Sequence, residues 1–136
     1  MPRRSQKANS CSKHGSTSPS DCCCRRRCVW CCVTNLYEFT LPEEGEERLD
    51  ILLRNDAVRI ERIASNRART EWYDQDEEEW VVLLEGMAEL EIEARRVTLK
   101  RGDTLHLPAH CRHRVLSTSD DALWLAVFIK DISAVS

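Results

Sequence analysis

The sequence has no apolar stretch approaching the ~20 residues that a membrane-spanning helix needs, so none of its segments reads as such a span. It shows no alternation of strands with helical stretches, which removes the parallel βαβ architectures. Large apolar residues are nearly missing from Met1 to Ser20. A segment of that kind cannot bury enough surface to offset its conformational entropy and is expected to be disordered. Beyond residue 32 the chain has a single cysteine, Cys111. The second Cys pair that a structural zinc site requires is therefore absent downstream.

What the chain does contain is unevenly shared. Residues 1–32 carry seven Lys and Arg against one acidic residue, a net of +6, and seven of the eight cysteines. The remainder carries thirteen basic against twenty-two acidic residues, a net of −9. Within the run from Asp21 to Cys32, Cys28 and Cys31 stand in a CxxC spacing that can chelate zinc, with only Cys11, His14 and the Cys22–Cys24 triplet as further ligands. The apolar core from Cys28 to Val33 is shorter than the roughly 7–15 residues of a signal h-region. The preferred reading makes residues 1–32 an upstream extension outside the natural fold, with Val33 as an alternative initiation point and 33–136 as the folded domain. A basic tail attracting nucleic-acid phosphates or a protein partner is the alternative. The acidic remainder argues against it, and no nucleic-acid or membrane partner is expected. Adjacent cysteines cannot pair without strain, which favours a reducing, cytoplasmic setting.

Leu41-Pro42-Glu43-Glu44 reads as an entry turn, and Leu49, Leu52 and Leu53 at i, i+3, i+4 predict a short helix that Asn55-Asp56 ends. The period then changes. Val58, Ile60 and Ile63 lie in a β-like run, and Ser65 to Arg69 reads as polar loop. Trp80 to Leu84 is a continuous apolar strand, expected to be buried on both faces. Ala88, Leu90, Ile92 and Ala94 alternate with glutamates, the pattern of a half-buried strand. Arg95-Arg96 reads as a turn. Leu105 and Leu107 alternate with His106, which should face the other side, and Arg114–Leu116 and Leu123–Ile129 complete the set. Short strands separated by turn signals at roughly 8–12 residues predict an all-β sandwich or barrel.

Two segments carry the chemistry. Tyr73-Asp74-Gln75-Asp76-Glu77-Glu78-Glu79 is followed by Gly86, seven residues after Glu79. Gly102 is followed by Pro108 six residues later and by His113 five after that. These segments resemble the two signature motifs of the cupin superfamily, and EWYDQDEEEWVVLLEG with LPAHCRHRV looks like a group of small single-domain bacterial cupins carrying sugar-phosphate isomerase-like labels. The resemblance implies a double-stranded β-helix, or jelly-roll, barrel that pairs into homodimers through edge strands. A typical cupin holds a divalent metal with three histidines and one glutamate. Here Glu79 matches the motif glutamate and His113 the second-motif histidine. Tyr73 and Gln75 replace the two first-motif histidines, His110 stands at the motif glycine and Ser117 at its asparagine.

Two functional expectations follow. In the first, Glu79 and His113, helped by Gln75, hold Fe, Mn, Ni or Zn, and Tyr73 or His110 serves as acid/base in an enzyme acting on a small polar or anionic metabolite. In the second, the barrel is metal-free, and Tyr73, Gln75, Glu79 and His113 read a small ligand by hydrogen bonds. Plainer roles stand beside both, since Glu79 ends an acidic run that could be solvated and His113 could be a rim histidine. Trp72, Trp80, Trp124 and Cys111 are expected in core or interface positions.

Overall fold

The computed structural model describes residues 33–131; the cysteine run and the rest of residues 1–32 lie outside them. Residues 33–38 belong to a separate unit, in which Asn35 organises a turn. Its Oδ1 accepts from the Tyr37 N–H at 2.8 Å and its carbonyl from the Glu38 N–H at 3.1 Å.

From Phe39 onward the chain forms eight strands: β1 (Glu47–Arg54), β2 (Val58–Ser65), β3 (Glu78–Glu85), β4 (Met87–Ile92), β5 (Arg95–Lys100), β6 (Thr104–Leu107), β7 (His113–Thr118) and β8 (Ala122–Ile129). All pairings are antiparallel. One sheet runs β1-β2-β8-β3-β6 and the other β5-β4-β7. Between them lies the core, with Val81 and Leu83 from β3, Leu90 and Ile92 from β4, Leu99, Leu107 and Val115, and Trp124, Ala126 and Phe128 from β8. This is the expected all-β jelly roll.

The helix anticipated at Leu49, Leu52 and Leu53 is instead strand β1, and no helix occurs among the described residues. Its apparent helical spacing has a local cause. Leu49 pairs with Ile63, Ile51 with Glu61 and Leu53 with Ile60, so a bulge between Ile51 and Leu53 leaves Leu52 as the extra residue. The strand changes face there, so Leu49 lies on the inner side with Ile63 and Leu53 on the outer side with Ile60. Asn55 does end the element, its Oδ1 accepting from the Ala57 and Val58 N–H groups at 2.8 and 2.9 Å.

Three smaller readings also shift. Within the apolar run Trp80–Leu84 only Val81 and Leu83 are buried while Trp80 is exposed, because the outer face of this sheet is open on that side. Ser65 is not loop but the buried end of β2. The turn before β5 falls on Glu93-Ala94, with Glu93 at φ +54°, and Arg95-Arg96 are already in the strand. His106 does face away from buried Leu107.

Gly86 joins β3 to β4 at φ +86°, where a Cβ would sit 2.5 Å from the Ser119 hydroxyl and 2.8 Å from the Ala122 backbone. Gly102 has a similar φ of +89° but open space around it. Gly86→Ala should therefore cost about 2–4 kcal/mol, through strain and clash together, and Gly102→Ala only about 1 kcal/mol through strain alone. Urea unfolding of both variants checks this, and equal costs would contradict it.

Candidate functional site

The interior face of the five-stranded sheet is set by register. Arg59 on β2 and Glu79 on β3 are both aligned with Phe128 on β8, and Glu79 is aligned with Leu107 on β6. One step further along, Glu61 and Val81 flank Ala126, and beyond them Ile63 and Leu83 flank Trp124. Side chains in these rows, with Glu47 and Leu49 of β1 and His113 and Val115 of β7, line a cavity of about 220 Å³.

The segment between β2 and β3 closes one side by lying along β7. The Thr70 N–H donates to the Val115 carbonyl at 3.0 Å, and Tyr73 and His113 exchange both backbone hydrogen bonds, at 2.7 and 3.1 Å. This bridge sets the Tyr73 ring against the His113 imidazole, with centroids 5.4 Å apart. The His110 N–H fixes Gln75 by donating to its carbonyl at 2.7 Å.

Four of the five residues singled out from the sequence, Tyr73, Gln75, Glu79 and His113, are thereby brought to one cavity. Glu79 and His113 are 8% and 5% exposed. His113 Nε2 lies 3.7 Å from Glu79 Oε1, which also accepts from the Gln75 amide at 3.1 Å. His113 Nδ1 is 2.9 Å from the Cys111 carbonyl, an acceptor only, so Nδ1 carries the hydrogen and Nε2 faces Glu79. His110 lies outside the lining, exposed at φ +63° with Nδ1 2.9 Å from Asp74 Oδ1.

Among the lining residues not anticipated, four bear on the chemistry. Glu47 and Trp124 are joined through Ser65, whose hydroxyl donates to Glu47 Oε2 at 2.8 Å and accepts from the Trp124 indole at 3.0 Å. Arg59 donates to Glu61 at 2.6 Å and to Glu77 at 2.9 Å, its guanidinium 4.2 Å above the Phe128 ring. The available signal was the alternation of Arg59, Glu61, Ile63 and Ser65 along β2, a polar face turned inward.

The electrostatics follow from this crowding. Burial, reinforced by the charge of Glu61, pushes the Glu79 carboxyl up to about 7 despite the Gln75 hydrogen bond. Burial also raises Glu47, against the Ser65 hydrogen bond, and raises the Tyr73 phenol, to which the charge of Glu47 adds.

The donor set does not fit a cupin metal. Catalytic metal sites ordinarily use three protein ligands, and no three His, Cys, Asp or Glu side chains converge as a metal would need among the described residues. The pocket offers one imidazole and one carboxylate at close range, and Gln75 turns an N–H, not its oxygen, toward Glu79.

A jelly roll with an inward Glu and His on facing strands defines the cupin class of barrel, and residues 59–128 match the family model described as a cupin domain. The chain belongs to the cupin family. A provisionally assigned mannose-6-phosphate isomerase from Ralstonia eutropha shares 36% identity, with a TM-score of 0.68 over 73% of this chain and 98% of that one. KdgF from Halomonas sp. (18% identity, TM-score 0.60, 70% and 88% covered) and a cupin superfamily protein from Desulfitobacterium hafniense (19%, 0.61, 66% and 83%) share the fold. No protein with a curated description matches the chain.

Because Glu79 holds its proton to about pH 7 when folded, against a usual value near 4.5, folding is favoured by this group below pH 4.5. That contribution is lost as pH rises through 7. At pH 8 the charged, buried carboxylate costs on the order of 3 kcal/mol. Glu79→Gln should accordingly gain stability over the parent between pH 5 and pH 8 by about that amount. Urea unfolding at the two pH values tests it, and a difference independent of pH would contradict the assignment.

Proposed function

We propose that this cupin is a metal-independent acid/base enzyme that binds a small polar metabolite in its barrel and moves a proton with the Glu79–His113 pair, as in an isomerisation. The observation that carries this reading is a buried carboxyl titrating near pH 7, 3.7 Å from an imidazole nitrogen whose ring is fixed through its other nitrogen. A base poised near the working pH is what proton transfer requires. In this reading Glu79 takes a proton from a ligand carbon and returns it to the neighbouring carbon, while His113 Nε2, bare in the tautomer with hydrogen on Nδ1, takes the hydroxyl proton and returns it to the carbonyl oxygen. No electrons are gained or lost overall. Tyr73 and Gln75 orient the ligand at the rim, and the exposed His110 has no part in it. The Ralstonia relative's provisional isomerase name is of the same reaction class. The cavity, at about 220 Å³, lies below the ~300 Å³ at which drug-sized pockets begin, which favours a compact ligand.

We also read the domain as a homodimer. The outer face of the five-stranded sheet aligns Leu53, Ile60, Val127 and Trp80 in one apolar row reaching the edge strand β1, with Leu53 and Trp80 exposed.

Incubating the protein in D₂O with aldoses, ketoses and their amino and phosphate derivatives should show deuterium entering beside the carbonyl of at least one, by NMR. Glu79→Gln and His113→Ala should each lower that exchange about 10²- to 10⁴-fold. Unchanged exchange in both variants would overturn the reading. So would near-stoichiometric iron, manganese, nickel or zinc, retained after purification and lost from the same variants. For the dimer, Leu53→Asp should shift sedimentation from two chains to one, and a parent that sediments as one chain would contradict it.

A further inference from the structure

We propose that the barrel pocket recognises a small organic cation, a compact amine with an apolar body, and rejects phosphates and carboxylates. This rests on the reading of the cavity as a ligand site, though not on the proton transfer assigned to it, and it sets aside the anionic half of the polar or anionic metabolite expected from the sequence.

Carboxylates from three strands line the cavity, Glu47, Glu61 and Glu79. Each uses one oxygen on the protein: Glu47 Oε2 on Ser65, Glu61 Oε2 on Arg59, Glu79 Oε1 on Gln75. The second oxygen of each has no hydrogen-bond partner among the described residues, and none of the three is sealed from solvent. Glu61 and Glu79 are only 6% and 8% exposed, so their remaining oxygens open into the cavity. Oxygens that face a small cavity and have no protein partner are matched by a ligand that brings donors. An ammonium group brings three donors and no acceptor.

The arginine in the lining does not change this balance. Arg59 is bonded to both Glu61 and Glu77 and stacked on Phe128, so its single charge is already answered twice. A phosphate entering the cavity would meet Glu47 and Glu79 with only His113 to offset them. Apart from the uncharged polar Thr70, Tyr73 and Gln75, the rest of the lining is Leu49, Ile63, Val81, Val115, Trp124 and other apolar side chains, suited to a largely hydrocarbon body rather than to a second charge.

The test uses the full chain and probes of one shape and different charge: cyclohexylamine, cyclohexanol and cyclohexanecarboxylate, with mannose 6-phosphate as a fourth. The Trp124 indole N–H, assigned by Trp124→Phe, is the NMR reporter, because it is bonded through Ser65 to Glu47. The amine should move this resonance saturably and bind at least tenfold tighter than cyclohexanol, with no shift from the carboxylate or the phosphate. Glu47→Gln, which keeps an oxygen for Ser65, should weaken the amine about tenfold and leave cyclohexanol unchanged. Glu61→Gln should act in the same direction. If either anion binds as tightly as the amine, or if neither Glu variant affects the amine, the inference falls. If cyclohexanol or an anion binds and the amine does not, the ligand site stands and the cation alone is refuted. If no probe binds, the reading of the cavity as a ligand site falls with it.

Discussion

The site depends on the double pairing of β8. That strand is bonded to β2 on one side and β3 on the other, so Phe128 fixes Arg59 and Glu79 at the same level of the barrel. Because side chains alternate between faces, these registers also decide that Glu61, Ile63 and Val81 point inward. A slip of one residue in the β2 pairing would turn Arg59 and Glu61 outward, and a slip in the β3 pairing would do the same to Glu79. The charges are thus held by backbone ladders, and only Tyr73 and Gln75 come from a connecting segment. That segment is itself bonded along β7 and at His110.

Much of this was legible because several strands have one simple face. The alternation from Ala88 to Ile92 and the Leu105-His106-Leu107 triplet gave their strands directly, since buried and exposed positions differ sharply there. The motif spacing brought out Glu79 and His113, which do meet. Glu47 was hidden by the bulge at Leu52, which makes a strand imitate helical spacing. Arg59 and Glu61 were hidden for another reason. Charged residues alternating with Val58 and Ile60 look like a solvated face, and only the closure of the barrel shows that this is the inner one. Trp124 reads as core from sequence and is core, but its edge also forms a cavity wall.

Three carboxylates and one arginine around a small cavity are not an arrangement that folding alone would favour. Burial raises the protonation of Glu79 and Glu47, which shows the native state resisting full ionisation. An apolar filling of the same volume would avoid that cost. Retained strain of this kind is characteristic of sites kept for binding or chemistry rather than for stability. The loss of the two first-motif histidines fits the same view. With Tyr73 and Gln75 at those positions, the pocket has a ring set against His113 and an amide bonded to Glu79 where the motif has imidazoles.

The bulge in β1 has a consequence for how such a barrel can diversify. Before it, Glu47 and Leu49 face the cavity; after it, Leu53 joins Ile60 on the outer surface. One short strand therefore carries two independently mutable surfaces, divided at Leu52. Descendants could reshape the cavity wall in its first half without disturbing the exterior, and alter the exterior in its second half without disturbing the cavity.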